Sequence, residues 1–312
     1  MSPATIVPPE PARPCRPKAR PAAPEMPRLP ATRALKGVAR KLIPRPAWHW
    51  LAREVKDLPF RLRDLGPDLR ERFSGARLPL PPARLRRRVG LTSSRDEFLT
   101  VGREVAATVL RAYQEHRRPE ESYRRWLDFG CGSGRLARFL VESGERELHG
   151  VDVDRAAIRW ARRRFGPGFM ATGALPPLPF PDAAFDVACA ISVFTHLDEP
   201  MQLAWLQELH RVLRPRGLLV ATTHHEDLVW TRPDLSPEQR ARLAADGFLF
   251  ASGEGSFNDD SAFHTLPYLE RTWGRRFALR TYAKLGLCGY QDLAVWEAEP
   301  RGAASAPSPG AF

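Results

Sequence analysis

A glycine-rich loop between a strand and a helix is the feature that most constrains this chain. The stretch Trp126–Gly134 is an apolar run that ends at Asp128 and Phe129 and continues into a loop with three glycines. Residues 135–141 then place apolar side chains at helical spacing, so strand, tight loop and helix follow one another. Glycine allows a sharp turn, and the N–H groups at the start of the next helix point at whatever the loop holds. The loop is therefore predicted to hold an anion or a cofactor.

The spacing of this loop excludes the dinucleotide-binding fingerprint. That fingerprint, GxGxxG, needs a small residue three positions after its second glycine. Counting from Gly130 and Gly132, the position is occupied by Arg135. The cofactor is therefore predicted to be something other than a nicotinamide or flavin dinucleotide.

The charge of the chain is concentrated at one end. Residues 1–90 hold 21 Lys and Arg against 7 Asp and Glu, a net charge of +14, and the remainder carries −2. A basic character confined to one third of the chain does not make the whole chain a nucleic-acid binder. No apolar run reaches the roughly 18–20 residues of a transmembrane helix, and the proline-rich start lacks the apolar region of a secretory signal. The four cysteines have no metal-ligand spacing, which indicates reduced thiols in the cytoplasm and no metal site.

The sequence divides into four segments. Residues 1–30 contain ten prolines and are predicted to be a disordered tail, because they cannot bury enough apolar surface to offset ordering. Residues 31–90 are predicted to form a basic helical extension and linker. Residues 91–300 form the main domain, and residues 301–312 are a flexible tail.

The basic extension has two interpretations. Apolar residues among Arg and Lys in residues 31–75 indicate one or two short amphipathic helices. The simpler interpretation packs them on the main domain, and the alternative lays them on an acidic membrane surface or a partner. The run Arg86–Arg88, which follows a stiff proline-rich linker, is predicted to be a solvated face, with contact to a substrate phosphate as the alternative.

Strands and helices alternate along the main domain. A helix is predicted to begin near Ser93, Ser94 or Asp96, which are good caps. The strands are predicted at about 122–129, 147–154, 169–172, 185–191, 217–223, 277–282 and 291–298. Residues 226–275 are predicted to be irregular, with helices at 236–245 and 266–274. This alternation predicts an α/β fold with a doubly wound parallel sheet and a ligand site at the carboxyl ends of the strands.

Several segments fall into one recognisable order with the glycine-rich loop. Asp152 ends the second strand, Leu178–Asp182 and Phe185–Val187 lead into the fourth, and Leu213–Val220 leads into the fifth. Over about residues 91–298 this order resembles the class I S-adenosylmethionine (SAM)-dependent methyltransferases. The resemblance implies a seven-stranded, mostly parallel sheet whose last strand is antiparallel, with SAM as cofactor. It says little about the substrate.

The resemblance also assigns roles to individual residues. Asp128 is expected to orient the methionine amino group of SAM, and Asp152 to accept hydrogen bonds from the ribose hydroxyls. The alternatives are that Asp128 stabilises the loop and that Asp152 caps a helix, although Asp154 is the better cap. Val153 is expected to pack on the adenine. The remaining expected cofactor contacts are Gly130, Cys131, Gly132, Gly134, Ala174, Leu175 and Ser192.

The chain departs from the family pattern at the third strand. Many relatives carry an aspartate there that accepts the adenine amino group, and Ala174 cannot do so. Adenine recognition is therefore expected to come from the backbone of Ala174 and Leu175, or from another side chain.

Histidines after the fourth and fifth strands are the candidate general bases. His196 follows the fourth strand, and His224 and His225 follow the fifth; histidine has the pKa range to accept a hydroxyl proton. The alternative for His196 is local packing at a helix start. Because His224 and His225 are adjacent, they point to different sides, so one of them at most is expected to face the substrate. His264 is a weaker candidate that a lid could bring in.

These observations predict a methyltransferase acting on a small molecule or glycoconjugate, at a hydroxyl oxygen. No Asn-Pro-Pro-Tyr-type sequence follows the fourth strand, which disfavours N-methylation of DNA bases. A second hypothesis is methylation of RNA or another macromolecule docked through the basic N-terminal region, so nucleic acid is a less favoured partner. A third is a methyltransferase-fold scaffold without activity, for which Ala174 is the only support.

Overall fold

Helices and strands alternate along the chain as the sequence predicts. The computed structural model describes residues 45–75, 78–89, 92–118, 124–142, 147–232, 234–252 and 260–300. The tails predicted at residues 1–30 and 301–312 lie outside these ranges. The described helices are α1 (Arg45–Phe73), α2 (Ala83–Val89), α3 (Arg95–His116), α4 (Arg135–Glu142), α5 (Arg155–Phe165), α6 (Glu199–Val212), α7 (Pro237–Asp246) and α8 (Leu266–Thr272). The described strands are β1 (Arg125–Phe129), β2 (Glu147–Asp152), β3 (Phe169–Ala171), β4 (Phe185–Ala190), β5 (Leu213–His225), β6 (Phe248–Ala251), β7 (Ser261–His264), β8 (Phe277–Leu287) and β9 (Gln291–Ala298).

Seven strands form the predicted doubly wound sheet, and two further strands, β7 and β6, extend it from the end of β5 to nine. The seven strands lie in the order β3-β2-β1-β4-β5-β9-β8. The pairs from β3 to β5 are parallel, while β9 runs antiparallel to both β5 and β8. The strand order reverses at β1 and β4, so the carboxyl ends of these two strands open a crevice for a ligand.

Successive side chains of the central strands point to opposite faces of the sheet and pack in two hydrophobic cores, one on each face. Trp126 packs with α3 and α4 on one face, and its neighbour Leu127 packs with α6 on the other. Both side chains are fully buried. Strands covered on both faces read as continuous apolar runs, which is why they could be recognised from the sequence.

Helix starts in the main domain follow the predicted capping residues. The Ser94 hydroxyl accepts the Glu97 N–H at the start of α3. The Asp154 carboxylate accepts the N–H groups of Ala156 and Ala157 at the start of α5. Asp154 is therefore the helix cap, which leaves Asp152 for another role.

The segment between β5 and β8 is more ordered than predicted. Helices α7 and α8 lie where they were expected, but β6 and β7 form an antiparallel pair in a stretch that was predicted to be irregular. The end of β5 continues past its partner β9 and pairs His224 with Phe263 of β7. Each new strand has four residues, too few to show a periodic pattern, and that is why the prediction was wrong.

The basic extension contains one long helix where one or two short ones were predicted. Helix α1 has 29 residues and includes Pro59 and Pro67. It packs on the main domain through acids: Asp57 accepts the Ser93 N–H at 2.7 Å, and Asp64 accepts the Arg95 N–H at 2.8 Å. None of the described helices is long and apolar enough to cross a membrane.

The arginine run of α2 is only in part the solvated face that was predicted, because Arg88 is exposed and Arg86 is not. The side chain of Arg86 is fully buried and donates two hydrogen bonds of 2.9 Å to the Asp68 carboxylate. It also donates to the carbonyls of Ser93 and Pro81 at 2.6 and 2.7 Å. The alternative, contact with a phosphate, does not fit this guanidinium, because its donors are taken up by the protein. A buried arginine is tolerated here because it is paired and hydrogen-bonded.

Replacing this arginine should weaken the attachment of α1 and α2. We expect Arg86→Met to lower the free energy of unfolding by about 3 kcal/mol, because it removes one of the two arginines that bind the Asp68 carboxylate and leaves the carbonyls of Pro81 and Ser93 without this donor. Urea unfolding followed by circular dichroism measures the change. Arg84→Met is the matched control, since Arg84 lies on the same helix and is exposed; it should change stability by less than about 0.5 kcal/mol. Equal effects of the two substitutions would contradict the assigned role of Arg86.

Candidate functional site

The glycine-rich loop is closed onto the neighbouring strand. The N–H groups of Gly130 and Cys131 donate to the Val151 carbonyl at 2.8 and 3.1 Å, and the Gly134 N–H donates to the Cys131 carbonyl at 2.9 Å. Since β1 and β2 are adjacent and parallel, these bonds hold the loop over the carboxyl end of β2. The loop therefore lies at the crevice where open parallel sheets bind their ligands.

Two glycines of the loop are required by the protein itself. Gly130 and Gly132 have φ angles of +77° and +53°, which side chains rarely adopt. A Cβ at Gly130 would lie 2.3 Å from Cγ2 of Val193, and a Cβ at Gly132 would lie 2.5 Å from Cγ1 of Val89. The loop is thus covered by the segment after β4 on one side and by α2 on the other. The cover provided by α2 was not predicted from the sequence.

Asp152 binds the loop at the end of β2. Its carboxylate accepts the Gly132 N–H and the Asp154 N–H, each at 2.7 Å. Burial raises the pKa of Asp152, and these two hydrogen bonds oppose that shift. Asp154 in turn is paired with Arg88 of α2. The predicted ribose ligand thus lies beside the glycine-rich loop, partly exposed.

Asp128 is a buried carboxyl group at the end of β1. It is 3% exposed, and its Oδ2 has no hydrogen-bond partner among the described residues. Burial, followed by the negative charge of Asp152, raises the pKa of Asp128 to about 7, while Arg135 opposes the shift. A buried carboxylate oxygen without a donor is costly. This environment fits the predicted contact with the positively charged amino group of SAM.

The rest of the loop contributes backbone more than side chains. Cys131 is 4% exposed, and burial together with the nearby carboxylates of Asp128 and Asp152 raises the pKa of its thiol well above the ordinary value. The thiol therefore stays protonated and unreactive. Ser133, which was not predicted as a contact, has a buried hydroxyl without a partner in the described part of the chain.

The residues predicted to contact adenine lie at the ends of β2 and β3. Val153 and Leu175 are 48% and 58% exposed, so both present apolar surface beside the crevice. The Ala174 carbonyl accepts a hydrogen bond of 3.0 Å from the indole N–H of Trp205. An adenine that binds the Ala174 backbone as predicted would therefore share this carbonyl with the Trp205 indole.

Ser192 lies two residues after the end of β4 in a left-handed conformation, with φ of +58°. Its N–H donates to the Thr222 hydroxyl at 2.8 Å, and its hydroxyl donates to the Gln291 side-chain carbonyl at 2.9 Å. Thr222 and Gln291 were not predicted. Their contact with Ser192 could have been inferred from the sheet order. Because β5 and β9 are antiparallel neighbours, residues near 222 and 291 must meet at one end.

Of the three candidate bases, His196 and His224 lie near each other and His225 lies in a different environment. The rings of His196 and His224 are 6.3 Å apart, measured between centroids. Nδ1 of His196 is 2.7 Å from the Asp260 carbonyl. Nδ1 of His225 instead accepts the Asp227 N–H at 2.9 Å and so caps the short helical turn that follows β5. The structure brings His196 and His224 together and gives His225 a capping contact.

Two further histidine environments bear on the predicted chemistry. His224 is 6% exposed, and burial, followed by the charges of His196 and Arg232, lowers its pKa to about 4. His264 is 1% exposed and bonds the Gln202 side chain at 3.0 Å. Its pKa falls to about 3, mainly through burial. The idea that a lid brings His264 into the site does not fit, because the residue is part of β7 and packs in the core.

Aromatic rings surround the paired histidines. The centroid of the His224 ring is 5.6 Å from those of both Phe263 and Tyr290. The Arg232 guanidinium lies 5.9 Å from the Phe263 ring. Phe263 belongs to the strand pair that was not predicted, so its position could not be read from the sequence. Among the described residues, no group of three or more His, Cys, Asp or Glu could hold a metal ion.

Comparison with known proteins places this site in a family. Residues 127–221 match the model of a methyltransferase domain. A probable S-adenosylmethionine-dependent methyltransferase of Mycolicibacterium smegmatis is 35% identical over 97 residues, which are 31% of this chain and 37% of that protein. The O-methyltransferase resE of Aspergillus sclerotiorum is 34% identical over 124 residues, 38% of this chain and 44% of that protein.

One further relative and one solved structure are also similar to this chain. The malonyl-[acyl-carrier protein] O-methyltransferase of Serratia marcescens is 34% identical over 97 residues, 31% of this chain and 37% of that protein. The solved structure of the PH0226 protein from Pyrococcus horikoshii has a TM-score of 0.48 and 22% identity, and covers 63% of this chain and 91% of that chain. The chain spans less than half the length of the three curated relatives from Mycolicibacterium, Aspergillus and Serratia.

The fold, the loop and the family match together define a class I SAM-dependent methyltransferase domain. SAM is the cofactor of this class, and the glycine-rich loop, Asp128 and Asp152 are the residues here whose geometry fits it.

The buried Asp128 should make folding stability depend on pH. Its pKa is about 7 in the folded chain against an ordinary 3.8, so its contribution to stability is greatest below about pH 4 and is lost as the pH rises through 7. We expect the parent protein to lose up to about 4 kcal/mol relative to Asp128→Asn over that interval. Urea unfolding of both proteins at pH 4, 5.5 and 7 measures this. The comparison cancels other titrating groups, and parallel pH profiles for the two proteins would refute the burial of an ionisable Asp128.

Proposed function

We propose that the protein transfers a methyl group from SAM to a hydroxyl oxygen of a small molecule or glycoconjugate. The observation that carries the proposal is the buried carboxyl of Asp128, whose Oδ2 has no donor among the described residues and which lies at the end of β1 beside the glycine-rich loop. Named relatives that methylate oxygen support the choice of atom. The acceptor class rests on the aromatic surroundings of His224 and on the sequence.

The cofactor site uses two carboxylates in different ways. When bound, SAM supplies a methyl group already activated on a sulfonium. Asp128 would hold the amino group, since its buried Oδ2 needs a donor. Asp152 accepts two backbone N–H groups at 2.7 Å, and a carboxylate has about four acceptor positions. It can therefore keep its hold on the loop and also accept the ribose hydroxyls.

Among the histidines, His196 is the proposed general base. A carbonyl only accepts hydrogen bonds, so the contact with the Asp260 carbonyl at 2.7 Å requires a hydrogen on Nδ1 of His196. In the neutral ring Nε2 is then the free base, and the carbonyl fixes this tautomer. His224 has a lowered pKa and His225 caps a turn, so both are weaker candidates.

The alternatives raised by the sequence have less support. Docking of RNA through the basic extension is weakened because Arg86 is fully buried and its guanidinium is paired with Asp68. A non-catalytic scaffold is weakened by the arrangement of the loop with Asp128 and Asp152.

We also propose that residues 91–300 form the methyltransferase domain and residues 31–90 its helical extension. The cytoplasm is the proposed location, on the basis of the cysteine spacing.

Cofactor binding should depend on Asp152. We expect Asp152→Ala to weaken binding of S-adenosylhomocysteine by at least about tenfold, because a charge-assisted hydrogen bond contributes about 1.5–3 kcal/mol. Isothermal titration calorimetry measures the affinity, and a thermal melt checks that the variant folds. Glu147→Ala is the matched control, since Glu147 is exposed at the other end of β2. Equal affinity in Asp152→Ala and the parent would remove the ribose assignment, and no heat with the parent at high micromolar ligand would favour the scaffold.

Turnover should depend on His196 without a change in cofactor affinity. Incubation with labelled SAM and a cell extract, followed by mass analysis, first identifies the acceptor. With that acceptor, His196→Ala should lower kcat by about 10²–10⁴-fold, the usual contribution of a general base, while S-adenosylhomocysteine affinity stays within about twofold. His210→Ala is the control, because His210 bonds the Glu299 carbonyl on a different part of the surface. A kcat unchanged by His196→Ala would eliminate His196 as the base.

A further inference from the structure

Helix α1 carries a continuous apolar stripe on its exposed side. Six apolar side chains recur every three or four residues and are each between 48% and 80% exposed. On a helix with 3.6 residues per turn they share one face, over a length of roughly 27 Å. They are Val55, Leu58, Leu62, Leu65, Leu69 and Phe73. Single exposed leucines are normal on protein surfaces, but a contiguous stripe marks an interaction surface.

The acids of the same helix whose side chains the structure describes turn away from this stripe. Asp57 and Asp64 are each 3% exposed, and their carboxylates accept the N–H groups of Ser93 and Arg95. Asp68, one turn further along, binds the side chain of Arg95. The acidic face of α1 is therefore used to attach the helix to the protein. The predicted packing on the main domain occurs, and among the described residues nothing covers the apolar stripe.

Arginines lie on both flanks of the stripe. Arg61 and Arg63 stand one residue before and one residue after Leu62, which places them about 100° to either side of it. Their side chains are 35% and 50% exposed, and each also pairs with a buried acid of the same helix, Arg61 with Asp57 at 2.7 Å and Arg63 with Asp64 at 2.8 Å. Arg70 follows Leu69 in the same way and is exposed. The described charged groups that border the stripe are thus guanidinium groups, two of which are also bound by acids on the buried side of the helix.

This charge pattern distinguishes between two occupants. A second copy of α1 laid on the stripe would bring arginine flanks against arginine flanks, which is unfavourable. An anionic lipid surface would accept the apolar side chains at the level of the acyl chains and place phosphates beside the guanidinium groups. Apolar residues in the centre, arginines on both sides and acids on the far side are the arrangement of a helix that lies in a membrane interface.

We propose that α1 docks on an anionic membrane surface, with the stripe from Val55 to Phe73 inserted and Arg61, Arg63 and Arg70 at the lipid phosphates. The helix lies in the plane of the interface, and its buried acids hold the main domain on the aqueous side. This proposal does not depend on the methyl-transfer reaction.

Vesicle flotation with the full-length chain tests the proposal. Vesicles of equal parts phosphatidylglycerol and phosphatidylcholine should bind the protein at least about tenfold more tightly than pure phosphatidylcholine, and added salt should weaken this binding. Leu62→Gln with Leu65→Gln should lower the affinity for the mixed vesicles by about tenfold or more, because the inserted apolar area is lost. Glutamine keeps helix propensity, and both leucines are already exposed. Leu203→Gln is the matched control, since Leu203 is an exposed leucine on α6.

Three outcomes would overturn the proposal. The first is no binding to the mixed vesicles at any lipid concentration. The second is binding that the double substitution leaves unchanged, which would assign it to another part of the chain. The third is a dimer in light scattering that the double substitution dissociates, with no vesicle binding, which would make the stripe a contact between two copies. S-adenosylhomocysteine affinity, measured in parallel, should be unchanged in the variant, so failure here is separate from failure of the proposed function.

Discussion

The hydrogen bond from the Gly132 N–H to the Asp152 carboxylate is the contact on which the site depends. It ties the loop after β1 to the end of β2, beside the two bonds that the loop makes to the Val151 carbonyl. The loop can take this path only because Gly132 adopts a positive φ and leaves room for Val89. One consequence is electrostatic, because the loop holds Asp128 and Asp152 at the same end of the sheet. Burial, reinforced by the negative charge of Asp152, raises the pKa of Asp128 to about 7. The site is therefore arranged to favour a ligand that brings a positive charge.

The parts of the fold that follow local rules could be predicted from the sequence. The buried strands read as apolar runs, the loop as closely spaced glycines, and the cap of α5 as Asp154. Asp152 could be located for the same reason, since a carboxylate after a buried strand must lie at the crevice. The β6–β7 pair could not be predicted, because each strand has four residues and its partner at the end of β5 is more than thirty residues away from β7. Likewise, adjacency predicts that His224 and His225 diverge, but only the packing shows that His225 caps a turn.

The arginine run of α2 illustrates a different limit. A cluster of basic residues indicates a solvated face when nothing nearby in the sequence opposes it. The acid that pairs with Arg86 is Asp68, 18 residues earlier and on another helix. The pairing exists because α1 and α2 pack against each other, which no periodicity in either segment encodes. Exposure of Arg84 and burial of Arg86 on the same short helix show that composition alone cannot separate the two.

Helix α2 also connects the extension to the cofactor site. Arg86 is fixed to Asp68 of α1, whereas Arg88 pairs with Asp154 and Val89 contacts Gly132. These three residues span one helical turn, so the bonds to α1 and the contact with the glycine-rich loop belong to one short rigid element. A displacement of α1 relative to the sheet must therefore strain the Arg86 bonds or move Val89 away from Gly132. The extension is thus a wall of the site as well as an attachment to it, and the surface that α1 occupies bears on the geometry around the loop.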